Sequence, residues 1–158
     1  MSGNHAQIAG VSVSLDHWID GKRVAGADRF ATASPIDGSH LADVAAGGQA
    51  DVDMAVEAAN RAFPAWAALG AKGRQPILHG FAKEILARAD DLAAVETADN
   101  GSLLQGNLHR MVPRAAQNIS FFADWALTLL DHKIEHEEVT NNVRYDPAGV
   151  AALITPWN

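Results

Sequence analysis

Cysteine is absent from all 158 residues. That excludes disulfides, thiolate metal centres and a cysteine nucleophile within this chain. A basic block is absent too: 12 Lys and Arg stand against 19 Asp and Glu, for a net charge of −7, so the electrostatic footprint of a nucleic-acid partner is missing. The acidic balance favours solubility and names no partner. No run approaches the roughly 18 apolar residues of a membrane span. The opening MSGNHAQIAGVSVSL carries no cationic residue ahead of its weak apolar stretch, which makes it a poor signal peptide and a cytoplasmic location the expectation. Phosphate loops are missing as well. Gly21-Lys22 would need a glycine five residues before Gly21 and has Asp16 there, and neither G-x-G-x-x-G nor G-x-S-x-G occurs.

What remains is ordinary for a soluble globular chain, 48% apolar and 20% charged, and long enough for one domain with a core. The first dozen residues are small and polar and read as an unfixed arm, residues 1–14. Asp20-Gly21 then sits between short apolar segments, the dipeptide of a tight hairpin turn. Pro35 before Asp37-Gly38 signals a second turn, so residues 17–47 read as a small β meander.

At Ala50 the period changes. Val52, Ala55, Val56, Ala59 and Phe63 recur at helical spacing, with Asp51 and Asp53 favourable in the first turn and Pro64 expected to end or kink the helix. Ile77, Leu78, Phe81, Ile85 and Leu86 share the face of a second helix, which should begin close to Pro76. Asp90-Asp91 restart a helix that Asn100-Gly101 stops. Pro113 is expected to open a third long helix, with a buried stripe of Val112, Ala116, Ile119, Ala123, Ala126 and Leu130. KIEHEEVTNNVRYD then suits an exposed hairpin around Asn141-Asn142. The run in DPAGVAALIT has the continuous apolar character of a strand buried on both faces of a parallel sheet.

Few residues suggest chemistry by themselves. His132, Glu135 and His136 fit H-x-x-E-H, and on a helix both histidines would share a face as two zinc ligands must. No third ligand is identifiable, and solvated charges at a helix end account better for these residues. The other histidines lack ligand spacing. ITPWN, at residues 154–158, is weak alone, since an Asn after a strand is usually a turn residue and a Trp after Pro is usually packing.

Order along the chain is more informative. HWIDGKRV, SPIDGSHLADVAAGGQADVDMAVEAANRAFPAW, LAAVETADNG, PRAAQNISFFADWA and VRYDPAGVAALITPWN follow one another, and together they resemble the aldehyde dehydrogenase superfamily over residues 15–158. The PRAAQNISFFADWA segment is most similar to the branch that oxidises semialdehydes from aromatic-ring catabolism, such as hydroxymuconic or carboxymethyl-hydroxymuconic semialdehyde.

The resemblance implies an α/β fold: the N-terminal portion of a cofactor-binding domain, with β meander, three long helices, a protruding hairpin and the first strand of the nucleotide-binding sheet. It assigns residues 15–130 to that domain, 131–145 to an oligomerisation hairpin of a homo-oligomer, and 146–158 to the first Rossmann-like strand and the active-site motif. It implies NAD or NADP as cofactor and a small-molecule aldehyde as substrate. In the family a cysteine thiolate attacks the aldehyde carbon. The Asn of this motif, here Asn158, donates its side-chain N–H to the resulting oxyanion, a contribution of roughly 3–4 kcal/mol for a pre-aimed donor. Ile154, Thr155, Pro156 and Trp157 match the stretch lining the nicotinamide-ribose side of the cofactor. Thr32, Ala33 and Asp99 match positions with which some members hold a structural monovalent cation.

Departures accompany the likeness. The nucleophile is absent, and the sequence stops before the family's glutamate base, nicotinamide loop and adenosine pocket. Ser102-Leu103 stand where many members have Lys-Pro, and DHKIEHEE lacks the hairpin's usual Gly and Pro. The expectation is an N-terminal fragment of an aldehyde dehydrogenase, cut within the active-site wall and catalytically dead alone. A second reading is a non-catalytic helical interaction module that pairs with full-length subunits through residues 131–145. A zinc peptidase is a distant third.

Overall fold

A computed structural model describes residues 4–155. The chain begins with hairpins, and the first corrects the sequence reading: residues 4–14 are not an arm. β1 (His5–Ile8) and β2 (Val11–Ser14) pair antiparallel around Ala9-Gly10, both at positive φ (50° and 82°), which matches the twist of a two-residue hairpin. Small polar residues hid the alternation that buries Ile8. Two contacts hold the hairpin down. Ala45 N–H, in the strand His40–Ala46, donates to Leu15 O at 2.9 Å, and the Asp16 carboxylate accepts from Asn4 and pairs with Arg29.

β3 (His17–Ile19) and β4 (Lys22–Val24) close around Asp20-Gly21 as expected, at φ 52° and 71°. β5 (Asp28–Ala33) and β6 (His40–Ala46) form the longest ribbon, with a register shift between Thr32 and Ala33. Their turn is set by Gly38 at φ 74° and by the Asp37 carboxylate, which accepts from Ser39 N–H and Oγ–H. The expected meander is thus a series of two-stranded ribbons and not one continuous ladder.

α1 (Gln49–Ala68) starts where the Asp51 carboxylate accepts the Gly48 N–H at 2.9 Å. Pro64 neither ends it nor marks its last residue, for the helix runs on to Ala68. α2 (Gly70–Ala87) begins at Gly70, six residues ahead of Pro76. The break between α1 and α2 falls instead at Gly70, at φ 61°. Interior proline costs a helix about 3 kcal/mol in isolation, so the sequence rule favours breaks at both prolines. Both prolines are exposed, within helices that continue past them. α3 (Ala89–Asn100) has Asp90 and Asp91 in its first turn and stops at Gly101, whose φ of 76° is the left-handed cap that glycine supplies.

The next helix begins well before Pro113. α4 (Leu104–Gly106) passes into a π-helical segment, Asn107–Met111, then α5 (Val112–Trp125) and a 3₁₀ turn, Ala126–Thr128. The widened turn lies just where Pro113 lacks an N–H, and an i→i+5 turn is a common way to absorb such a defect.

α2 packs chiefly on α5. The stripes read from periodicity were expected to be core: in α5 and the turn after it Ala116 and Ala123 are buried and Val112, Ile119 and Ala126 half-buried as expected, while in the other helices the buried residues are the alanines Ala58, Ala82 and Ala93. Val52, Val56, Ile77, Phe81 and Leu86 are exposed, as are Phe121, Phe122, Trp125 and Leu130. Small residues let helix axes approach closely, so the contact line falls along the alanines and larger side chains flank it.

β7 (His132–Glu135) pairs with β8 (Thr140–Val143) as an exposed hairpin. Its turn is His136–Val139, closed by a 2.9 Å bond from His136 N to Val139 O. Asn141 and Asn142 are paired strand residues opposite Ile134 and Lys133, not the turn. Residues 148–154, expected as a buried strand, carry no ladder, and Leu153 and Ile154 are 89% and 91% exposed. A strand exists only through a neighbour's hydrogen bonds, and among the described residues none lies alongside.

Candidate functional site

The residues singled out from sequence fall in three places. Ile154 and Thr155 lie at the end of the described chain, exposed and outside any helix or strand. Pro156, Trp157 and Asn158 lie outside the described residues. His132 and His136 sit on a strand and in a turn, not on one helical face. No group of three His, Cys, Asp or Glu that could hold a metal ion occurs among the described residues.

The cation candidates belong to two elements that meet. Thr32, in β5, donates its hydroxyl to Ala42 O at 3.2 Å and is half-buried. Ala33 sits at the register shift opposite His40. Asp99 occupies the last turn of α3, which contains no basic residue. The two elements touch just beyond these positions: a Cβ at Gly101 would lie 3.0 Å from Pro35 Cγ and 3.9 Å from Ile36 Cγ1. The end of α3 therefore rests on the turn that follows β5.

That end is built by a polar chain that sequence reasoning missed. Asn107, in the π-helical turn, is 3% exposed. Its amide donates to Thr97 Oγ1 at 2.9 Å and to Ser102 Oγ at 2.7 Å. Ser102 in turn donates its N–H and hydroxyl to Asn100 Oδ1, at 2.8 and 2.6 Å. Asn100 Nδ2 reaches Glu96 Oε1 at 2.6 Å. A polar residue five places after Ser102 and ten after Thr97 fits no ideal helical period. That mismatch is the one sequence signal it leaves.

A second cluster joins α2 to α5. Gln75 and His79, one turn apart, both reach Asp124 Oδ1 at 2.7 Å. Donation from Gln75, then from His79, holds the Asp124 carboxyl below its ordinary value. Asp16 is lowered likewise, by the Asn4 side chain first and Arg29 second. The Asp37 carboxyl is lowered by Ser39. His79 also borders a groove of about 460 Å³ whose floor is Ala82 and Ala116 and whose rim carries Lys83 and Gln117.

Known proteins can now be set beside this arrangement. The family described as Aldehyde dehydrogenase family matches residues 18–158. A 5-carboxymethyl-2-hydroxymuconate semialdehyde dehydrogenase of Escherichia coli is 39% identical over 145 residues, 91% of this chain and 31% of that protein. A 2-aminomuconic semialdehyde dehydrogenase of Danio rerio is 32% identical over 149 residues, 91% of this chain and 30% of that one. Among solved structures, PnpE in complex with nicotinamide adenine dinucleotide superposes with a TM-score of 0.73 at 35% identity, over 78% of this chain and 26% of that one. A putative aldehyde dehydrogenase from Burkholderia cenocepacia superposes at 0.74 with 34% identity, over 85% and 26%. The chain thus spans about 30% of the length of the curated relatives it matches.

Proposed function

The chain belongs to the aldehyde dehydrogenase family, and we propose that it forms the amino-terminal, cofactor-side part of an enzyme that oxidises an aldehyde to a carboxylic acid with NAD or NADP. The family match across residues 18–158 carries this reading. The likeness to two muconic-type semialdehyde dehydrogenases supports a semialdehyde from aromatic-ring breakdown as substrate.

In this reading Asn158 donates its side-chain N–H to the oxygen of the reacting carbonyl. An amide suits the task because it donates without bringing a charge that would persist when the oxyanion is gone. Ile154, Thr155, Pro156 and Trp157 form a wall for the nicotinamide-ribose. The open side chains of Ile154 and Thr155 fit such a use, since nothing among the described residues covers them. Bound NAD(P) would supply the two-electron acceptor. Thr32, Ala33 and Asp99 would hold a monovalent cation. Asp99 suits that role because it adds a negative charge at the carbonyl end of α3, where a cation is favoured.

The 158 residues contain no cysteine, so a thiolate nucleophile must come from sequence outside them, and this chain alone is expected to be inactive. The test is NAD(P)H formation from an aldehyde panel. The 158-residue protein should give none, and sustained turnover would overturn its inactivity. The longest protein expressed from the gene that carries this sequence should prefer a muconic-type semialdehyde, and a preference for simple aliphatic aldehydes would overturn the substrate reading.

The exposure of β7 and β8 favours a second reading, a non-catalytic module that associates with full-length subunits through residues 131–145. Co-purification with such a subunit, lost on replacing Ile134 by Lys, would support it. No helix among the described residues is long and apolar enough to cross a membrane.

A further inference from the structure

Asn107 is a buried amide with a costly requirement: each N–H must find an acceptor or lose its hydration without return. Asn107 opens the π-helical segment Asn107–Met111 and is 3% exposed. There it bridges two segments at once, Thr97 in the last turn of α3 and Ser102 just past the cap. Between them lies Gly101, whose N–H donates to Thr97 O at 3.0 Å and whose Cα lies against Pro35.

We infer that Asn107 is a positioning residue that clamps the Thr97–Ser102 turn and, through it, sets the end of α3, where Asp99 lies, against the turn following β5. The inference rests on the cation reading of Thr32, Ala33 and Asp99 given above. Three observations lead to it. The bonds run without a gap from Glu96 through Asn100, Ser102 and Asn107 to Thr97, so the turn cannot shift without breaking several together. The last turn of α3 contains Asp99 and no basic residue, so its dipole and its carboxylate add and no Lys or Arg of that turn offsets them. This turn approaches the segment after β5 tightly at Gly101, where a Cβ would lie 3.0 Å from Pro35. A turn left to relax would move Asp99 relative to Thr32, and monovalent-cation affinity falls when ligands are not held in place.

The clamp and the cation are tested separately in the 158-residue protein. Amide hydrogen exchange at Gly101 and Ser102 reads the clamp. Melting temperature in potassium chloride against tetramethylammonium chloride, at equal ionic strength, reads the cation. In Asn107→Leu, exchange at both amides should rise about tenfold, as for loss of one buried bond network, with Ala58 in α1 unaffected, and the potassium-specific gain in melting temperature should vanish. Should Asn107→Leu fail to fold, Ser102→Ala removes the hydroxyl that accepts from Asn107 and donates to Asn100, leaves the Asn107–Thr97 bond, and should act in the same direction, more weakly. Unchanged exchange at Gly101 and Ser102 would overturn the clamp. Faster exchange with the potassium gain intact would overturn its link to Asp99. Faster exchange in a protein that shows no potassium gain even as wild type would uphold the clamp and overturn the cation reading.

Discussion

His79 on α2 and Asp124 on α5 meet at 2.7 Å, and Gln75, one turn earlier on α2, reaches the same carboxylate oxygen at the same distance. This is the main polar tie across the packed helix pair, and it has a pH signature. The Asp124 carboxyl is held below its ordinary value. Its stabilising effect is therefore complete above the unfolded carboxyl's range, near pH 4, and is lost as pH falls through the lower, folded value. Melting temperature should fall on acidification of the wild type. Asp124→Asn should flatten that fall, and an unchanged acid profile would refute the assignment.

Gly101 should tolerate no side chain. Its φ of 76° is strained for any L-residue, and a Cβ would press within 3.0 Å of Pro35. Gly101→Ala should lower stability by about 1–2 kcal/mol, read as a lower denaturant midpoint. Gly10→Ala shares the positive φ but meets nothing within 4 Å, so it should cost less. Equal losses would mean that the Pro35 contact contributes nothing.

The amino-terminal hairpin should be only as ordered as its anchor. Arg29 pairs with Asp16 and also donates to Asp43 O at 2.8 Å. Arg29→Ala should expose residues 4–14 to limited proteolysis while leaving α2 and α5 resistant. Resistance equal to wild type would show that the β1–β2 pairing stands without that tether.

Asn158→Ala, made in the longest protein that carries this sequence, should lower kcat by roughly 10²–10³-fold with little change in KM. In the proposed role its amide would act on charge that develops only in the transition state. A change confined to KM would assign Asn158 to substrate binding instead.

Much of the fold was legible before any coordinates. Asp20-Gly21, Asp37-Gly38 and Asn100-Gly101 each mark a true turn, because positive φ is a local steric property that the dipeptide itself carries. Apolar spacing marked the long helices because residues three and four apart share a helical face. Pro76 misled as a helix start, since α2 begins six residues before it, and Pro64 does not end α1. The α5 stripe marked burial at Ala116 and Ala123, while Val52, Val56, Ile77, Phe81 and Leu86 of the other stripes stay exposed, because contact followed the alanines. Asn141-Asn142 looked like a turn and is strand, since register is set by the partner across the ladder.

The sequence by itself determined the family, through the order of its motifs, together with the turns, the helices and the absence of a cysteine. Those are matters of residue identity and local backbone preference. Tertiary structure alone decided that Asn107 faces inward to bind Thr97 and Ser102, that Asp124 collects Gln75 and His79, and that Gly101 rests on Pro35. Each joins segments five to sixty-six residues apart, and only the packing of whole elements brings such groups within a hydrogen bond or a van der Waals contact.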